Sequence, residues 1–290
     1  MSTGTPGAPG LAAYVRDWRP EERTATAAIG PAPAAALAGL LDRAGDAPAD
    51  GDPLPPLWQW LYFLDWPAQS ELGPDGHPRD GHFLPPVPDR TRMFAGGRLV
   101  VAEPLRVGAA AVRTSAVAGV KVKEGRTGEL LFVTVRHEFR QDGELRVTEE
   151  QDLVYRSGGG GAARHEPRRD EPSSAAPWLL RLEADPVLLF RFSALTANAH
   201  RIHYDLPYAR DEEGYPDLVV HGPLLAVLMA ELPRRHAPGR RLARLGYRFR
   251  RPVFAAEPVL VTGVPGGEAV RLAVADAAGT VRAEAEAEFA

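Results

Sequence analysis

Hydrophobic positions along this chain follow two periods. Residues 243–250 set Leu245, Tyr247 and Phe249 against Arg244, Arg248 and Arg250, a strand with one buried and one solvated face. Residues 130–139 are β-branched and aromatic and lead to Asp142-Gly143, a turn dipeptide, so 147–155 is predicted to return as the hairpin partner. Further strands are expected at 259–262, 269–275 and 281–289. The helical period is densest at 222–235, where Leu224, Leu225, Val227, Leu228, Met229 and Leu232 leave almost no polar face. Such a helix must be wrapped by other structure. A second dense run, Leu57-Trp58-Gln59-Trp60-Leu61-Tyr62-Phe63-Leu64, is its expected counterpart in the first half.

A break at 157–177 separates the halves. Ser157-Gly158-Gly159-Gly160-Gly161 runs into Arg164-His165-Glu166-Pro167-Arg168-Arg169-Asp170-Glu171-Pro172. A stretch so rich in Gly, Pro and charge cannot bury a face and reads as a flexible linker. Landmarks recur in the same order on both sides. Glu103-Pro104-Leu105-Arg106-Val107-Gly108 precedes a β-rich run, as Arg251-Pro252-Val253-Phe254-Ala255-Ala256 does later. Asp142-Gly143-Glu144-Leu145-Arg146-Val147 matches Ala278-Gly279-Thr280-Val281-Arg282-Ala283 as a turn entering a last strand. This weak duplication predicts an α+β protein built as a tandem (double) hot-dog, each half a curved antiparallel sheet round a central helix. The expected units are 1–156, the linker 157–177, and 178–290.

Composition narrows the function classes. A chain of 290 residues suits one large domain or two modest ones, and 44% hydrophobic content supplies a sizeable core. The net charge is −4 and no basic run interleaves with aromatics, so nucleic acid is not an expected partner. There are no cysteines, which excludes a disulfide framework, a thiolate zinc site and a cysteine nucleophile. No apolar run reaches the roughly 18 residues of a membrane span, and residues 1–10 lack a signal-peptide pattern, so a cytoplasmic protein is expected. The four glycines at 158–161 are not followed by Gly-Lys-Ser/Thr, and no Gly-x-Ser-x-Gly occurs. Neither a phosphate loop nor a serine hydrolase of that type has support.

Chemistry concentrates in Phe192-Ser193-Ala194-Leu195-Thr196-Ala197-Asn198-Ala199-His200-Arg201-Ile202-His203-Tyr204-Asp205, followed by Val219-Val220-His221-Gly222-Pro223. A neutral histidine, His203, can take a proton from water and return one to carbon. Asn198 cannot do acid–base work, but its amide oxygen can orient a water. Gly222 is an ordinary turn residue on the plain reading. On the functional reading it lets a ligand approach the electropositive start of a helix, with its N–H aimed at an oxyanion. His200, Tyr204 and His221 are candidate walls of the substrate site, although His221 reads more readily as a cap-region residue. Asp205 either orients His203 or caps the next segment of chain. Asp75-Gly76-His77-Pro78 and Asp80-Gly81-His82 form no specific metal signature, and no metal site is expected.

These residues resemble the hydratase motif of MaoC-like proteins, and among them the type 2 hydroxyacyl-thioester dehydratases and 3-methylfumaryl-CoA (mesaconyl-C4-CoA) hydratases. The resemblance extends through Tyr204-Asp205-Leu206-Pro207-Tyr208-Ala209 and into the first half. There it rests on Pro55-Pro56-Leu57-Trp58-Gln59-Trp60-Leu61-Tyr62-Phe63, Phe83-Leu84-Pro85-Pro86-Val87-Pro88, Met93-Phe94-Ala95-Gly96-Gly97-Arg98-Leu99 and Lys123-Glu124-Gly125-Arg126-Thr127-Gly128. It implies a double hot-dog, a hydro-lyase acting on an enoyl thioester without a cofactor, a catalytic pair at Asn198 and His203, and an oxyanion donor at Gly222. It also implies an acyl-CoA or acyl-carrier-protein thioester as partner, with a homodimer left open. One departure stands out. The broader R-specific enoyl-CoA hydratases have Asp at the place of Asn198 and Asn-Pro at the place of His200-Arg201, which leaves His203 to carry most of the proton traffic. The same fold class serves thioesterases and non-catalytic acyl binders.

Overall fold

A chain whose strands alternate and whose turns are short folds into hairpins, and here the hairpins join into a single ten-stranded antiparallel sheet. The computed structural model describes residues 9–81, 83–88, 90–125, 128–157 and 166–290. In chain order the first half holds α1 (Leu11–Val15), β1 (Arg23–Ala28), α2 (Pro31–Leu40), β2 (Arg90–Val101), β3 (Ala110–Gly125), β4 (Gly128–Gln141) and β5 (Glu144–Ser157). The second half holds β6 (Trp178–Leu182), α3 (Pro186–Leu195), α4 (Gly222–His236), β7 (Leu242–Phe249), β8 (Val259–Gly266), β9 (Ala269–Ala275) and β10 (Val281–Phe289). The β4–β5 turn has φ of 52° at Asp142 and 79° at Gly143, both in the left-handed region that a two-residue hairpin favours.

The strand order is β1-β3-β4-β5-β2-β7-β10-β9-β8-β6. Read inward from either edge, it lists corresponding strands of the two halves, which is what the repeated landmarks require. The halves join where β2 meets β7, with Gly96 opposite Arg248 and Val100 opposite Arg244. Residues 166–177 carry no regular secondary structure, and 158–165 of the expected linker lie outside the described residues.

Helix α4 is buried from Leu224 through Pro233 and packs against strands of the second half. That burial is what an apolar helix needs, and it fixes where the helix begins. The expected counterpart at 57–64 is shorter: a single 3-10 turn, Trp58–Leu61. Left-handed residues bracket it, Leu57 at φ 70° and Phe63 at φ 51°, so no α-helix runs through. The turn is instead pinned by a buried carboxylate. Glu149 accepts from Gln59 (3.0 Å), Trp60 Nε1 (2.8 Å) and Gln151 (2.7 Å). Trp58 Nε1 donates to Glu231 of α4 at 3.2 Å, tying the two halves' interiors together. Among the described residues no helix is long and apolar enough to cross a membrane.

Candidate active site

The site is assembled from the end of α3, the start of α4 and one intruding loop. Helix α3 starts on Asp185, whose side chain accepts from Leu188 N–H at 2.7 Å. It ends as Asn198 N–H reaches back to Ser193 O at 2.9 Å, with Ala197 at φ 50°. That closure is normally a glycine's. An alanine there stores strain directly before the candidate pair. Asn198 Oδ1 then accepts from His200 N–H at 3.0 Å, which turns the chain into the 3-10 turn Arg201–His203.

His203 is buried, and its Nδ1 lies 2.7 Å from Val219 O. A carbonyl only accepts, so Nδ1 carries the proton and Nε2 carries the lone pair. Burial pushes the imidazole down to about 4, against the raising effect of the Val219 bond. His203 is therefore a neutral base at physiological pH with its tautomer set by the backbone. Its ring stacks on His221, centroids 3.7 Å apart and planes 19° apart. His221 is fully buried, shares a 2.8 Å hydrogen bond between Nε2 and Ser193 Oγ, and is the residue before the first turn of α4. Burial, then the charges His203 and His200 would carry, hold it well below the usual histidine range.

Gly222 opens α4 and Pro223 follows, so the first turn presents few N–H groups and little side chain. A Cβ on Gly222 would meet the Phe249 ring at 3.2 Å. The Phe249 ring lies 5.4 Å from that of Phe94, and Phe94 in turn lies 6.2 Å from Trp60. An aromatic wall drawn from both halves thus faces the helix start.

The first half contributes more than this wall. Arg201 N–H donates to Asp75 O at 2.9 Å, and Arg201 Nη1 to Pro74 O at 2.9 Å. Gly76, at φ +89°, lies so close that a Cβ would stand 1.9 Å from Ala199 O. Docked this way, the loop sets His77 against His200, ring centroids 4.1 Å apart. His200 lies 5.5 Å from His203. Asp75 accepts from His77 N–H at 3.0 Å and contacts His77 Nδ1 at 2.8 Å. Burial raises the Asp75 carboxyl, but the bonds and charge of His77 outweigh it and leave it at about 2. His200 is pushed down to about 2 by burial first, then by the charges of His77, His203 and Arg92 against the opposing pull of Asp75. Asp75, His77 and His200 offer ligand atoms within 4.8 Å of one another.

Other expectations fare differently. Asp205 does not orient His203. It pairs with Arg201 at 2.7 Å and accepts from Tyr208 N–H, while the Val219 carbonyl holds the imidazole. Tyr204 is 45% exposed and its hydroxyl donates to Ala199 O, so it braces the loop from outside rather than lining the ring row. His82 lies outside the described residues. Ser193, Val219, Asp75 and His77 escaped sequence reasoning. Only the Asp75-Gly76-His77 string itself carried a signal, and nothing in it said where it docks.

The doubled hot-dog sheet is that of MaoC-like dehydratases, and here it holds a neutral, tautomer-fixed imidazole beside a helix N-terminus. The chain belongs to the hydroxyacyl-thioester dehydratase type 2 family, whose model matches residues 57–255. It is 47% identical over 242 residues to the mesaconyl-C(4)-CoA hydratase of Chloroflexus aurantiacus, spanning 83% of this chain and 85% of that one. A shorter match, 40% over 78 residues, joins it to the mitochondrial hydroxyacyl-thioester dehydratase type 2 of Schizosaccharomyces pombe, 26% of each chain. The fold is shared with a MaoC-like dehydratase from Phytophthora capsici (TM-score 0.68, 17% identity, 96% of this chain and 98% of that one). It is also shared with HtdX of Mycobacterium tuberculosis (TM-score 0.63, 16% identity, 93% and 100%).

Proposed function

We propose that the chain reversibly hydrates an enoyl-CoA of the 3-methylfumaryl (mesaconyl-C4) type, giving citramalyl-CoA, at one active site per chain. The observation that carries the chemistry is His203, buried, neutral and with Nε2 left as its basic atom. In the hydration direction Nε2 takes a proton from a water as the water oxygen bonds to the β-carbon. The electron pair of the double bond moves toward the thioester oxygen. That charge is met by the Gly222 N–H and the electropositive start of α4. The proton on Nε2 then passes to the α-carbon, and water has been added with no electron or group left over. Dehydration is the same path reversed.

Asn198 positions the water. One lone pair of Oδ1 is committed to His200 N–H. The other lone pair and the amide NH2 are the groups this role uses. His221 supports the His203 ring by stacking, and His200 forms the wall beside it. Residues 1–156 and 178–290 are taken as the duplicated units. The first has no Asn…His pair of its own and serves the second through the 73–79 loop and the aromatic wall. This reading takes coenzyme A as carrier and the cytoplasm as setting. It does not require a homodimer, since both hot-dog units come from one chain.

The test is turnover on a panel of 3-methylfumaryl-CoA, crotonyl-CoA and a saturated acyl-CoA, followed at the enoyl-thioester absorbance and by free-thiol release. Loss of the enoyl band without thiol release is the expected result. Thiol release from the saturated thioester would make the protein a thioesterase. Binding without any spectral change would make it an acyl-binding protein.

A further inference from the structure

We propose that Arg92 recognises the second carboxylate of the acyl group and so sets the preference for a dicarboxyl enoyl thioester. The inference rests on the hydratase reading above and names the residue behind its substrate class.

The chemistry of the substrate says where such a residue must be. In a 3-methylfumaryl thioester the free carboxylate is bonded to the β-carbon, the atom that water attacks. Its oxygens are two bonds from the reacting centre. The cation that receives them therefore belongs beside the His203–His200 pair, not at the far end of an acyl pocket.

Among the nearby arginines, Arg191 is exposed on α3, and Arg201, Arg210 and Arg79 are already engaged. Arg201 holds Asp205 at 2.7 Å and lies over the Tyr208 ring at 4.0 Å. Arg210 donates to Pro216 O at 3.0 Å, and Arg79 to Leu72 O at 2.8 Å. Arg92 comes from the other half of the molecule. On β2 it stands opposite Tyr155, and Phe94 stands opposite Leu153. Residues two apart share a face of the strand. Phe94 is the residue whose ring packs on Phe249, the side chain that closes against Gly222. The face of β2 carrying Arg92 is thus the face turned to the start of α4. Its position is close enough for its charge to act on His200.

The surroundings leave the charge of Arg92 to be used. The Asp75 carboxylate is already matched by His77 at 2.8 Å. Among the described residues no carboxylate forms an ion pair with Arg92. A planar guanidinium in a partly desolvated wall binds a carboxylate through two parallel N–H donors, which fixes its orientation as well as its charge. Held so, the carboxylate presents the β-carbon to His203. A wall built for an anion also rejects a thioester with a methyl in its place, because the guanidinium then goes unpaired.

The experiment compares kcat/KM for 3-methylfumaryl-CoA and crotonyl-CoA in the wild type, Arg92→Leu and Arg92→Lys. For Arg92→Leu the expected result is a loss of roughly a hundredfold on the dicarboxyl substrate, mostly in KM. The ratio of the two substrates should move toward crotonyl-CoA by a similar factor, with Arg92→Lys between. A parallel loss on both substrates, or no loss on either, overturns the assignment. If Arg92→Leu fails to fold, judged by its Tm, Arg92→Gln and Arg92→Lys are read by the same ratio. A wild type that hydrates neither thioester overturns the hydratase reading itself. A wild type that prefers crotonyl-CoA leaves that reading standing and removes the role of Arg92.

Discussion

At the scale of single residues, the backbone does the work often given to a carboxylate. The Val219 carbonyl at 2.7 Å fixes the proton on His203 Nδ1 and leaves Nε2 basic. Burial then keeps the ring neutral down to about pH 4. Activity and stability should therefore respond to pH in different ranges. The rate falls only as His203 is protonated, so kcat/KM should stay level from neutrality downward and drop through about pH 4. Stability behaves differently. His200, His203 and His221 all sit below the ordinary value near 6.5. Between about 6.5 and the lowered folded values the unfolded chain binds more protons than the folded one, so stability is lost as pH falls through that window. Tm measured at pH 7.5 and 5.5, above most carboxylate titrations, should be lower at 5.5. An unchanged or higher Tm at 5.5, or a kinetic midpoint near 6.5, would contradict the buried neutral row. Residue type marked Asn198, His203 and Gly222 as candidates, and the resemblance to the hydratase motif singled them out from their polar neighbours. The agent that orients His203 was not legible, because a carbonyl is present at every residue and only the fold selects Val219.

Secondary-structure elements show the same division. The strand at 243–250 could be read from alternation, and that at 130–139 from its β-branched and aromatic residues and the Asp142-Gly143 turn. The run at 57–64 could not. Apolar density says that a segment is buried, not whether it is an α-helix or one 3-10 turn clasped by Glu149. The loop around Gly76 was equally opaque, since its partner lies more than a hundred residues away. Its geometry nevertheless makes a sharp prediction. Gly76→Ala places a Cβ against Ala199 O at a φ that an alanine rarely adopts, so the loop must lift from the 197–203 segment. Displacements of about 1 Å at a reacting centre cost roughly a hundredfold. We expect kcat/KM to fall on that order with Tm reduced only modestly. Unaltered kinetics in a folded Gly76→Ala protein would show that the loop does not support the site.

For the whole molecule, duplication explains both the symmetry and its breakdown. Ten strands run as two matching sets of five, joined at β2 and β7. The repeated landmarks before β3 and β8, and at the β4–β5 and β9–β10 turns, exposed this in the sequence because turns demand particular residues. What differs between the halves is the central helix. The second half keeps α4, whose start carries Gly222. The first replaces it with a short turn and spends its extra length on the loop that carries Asp75 and His77. On the proposed mechanism one copy carries the chemistry and the other shapes the walls, so one residue should decide activity for the entire chain. The most direct test is kcat of His203→Ala on 3-methylfumaryl-CoA, with Tm and wild-type kinetics alongside. Removal of the proposed general base should lower kcat by roughly a hundredfold or more while the fold is retained. A folded His203→Ala protein that turns over near the wild-type rate would contradict the account.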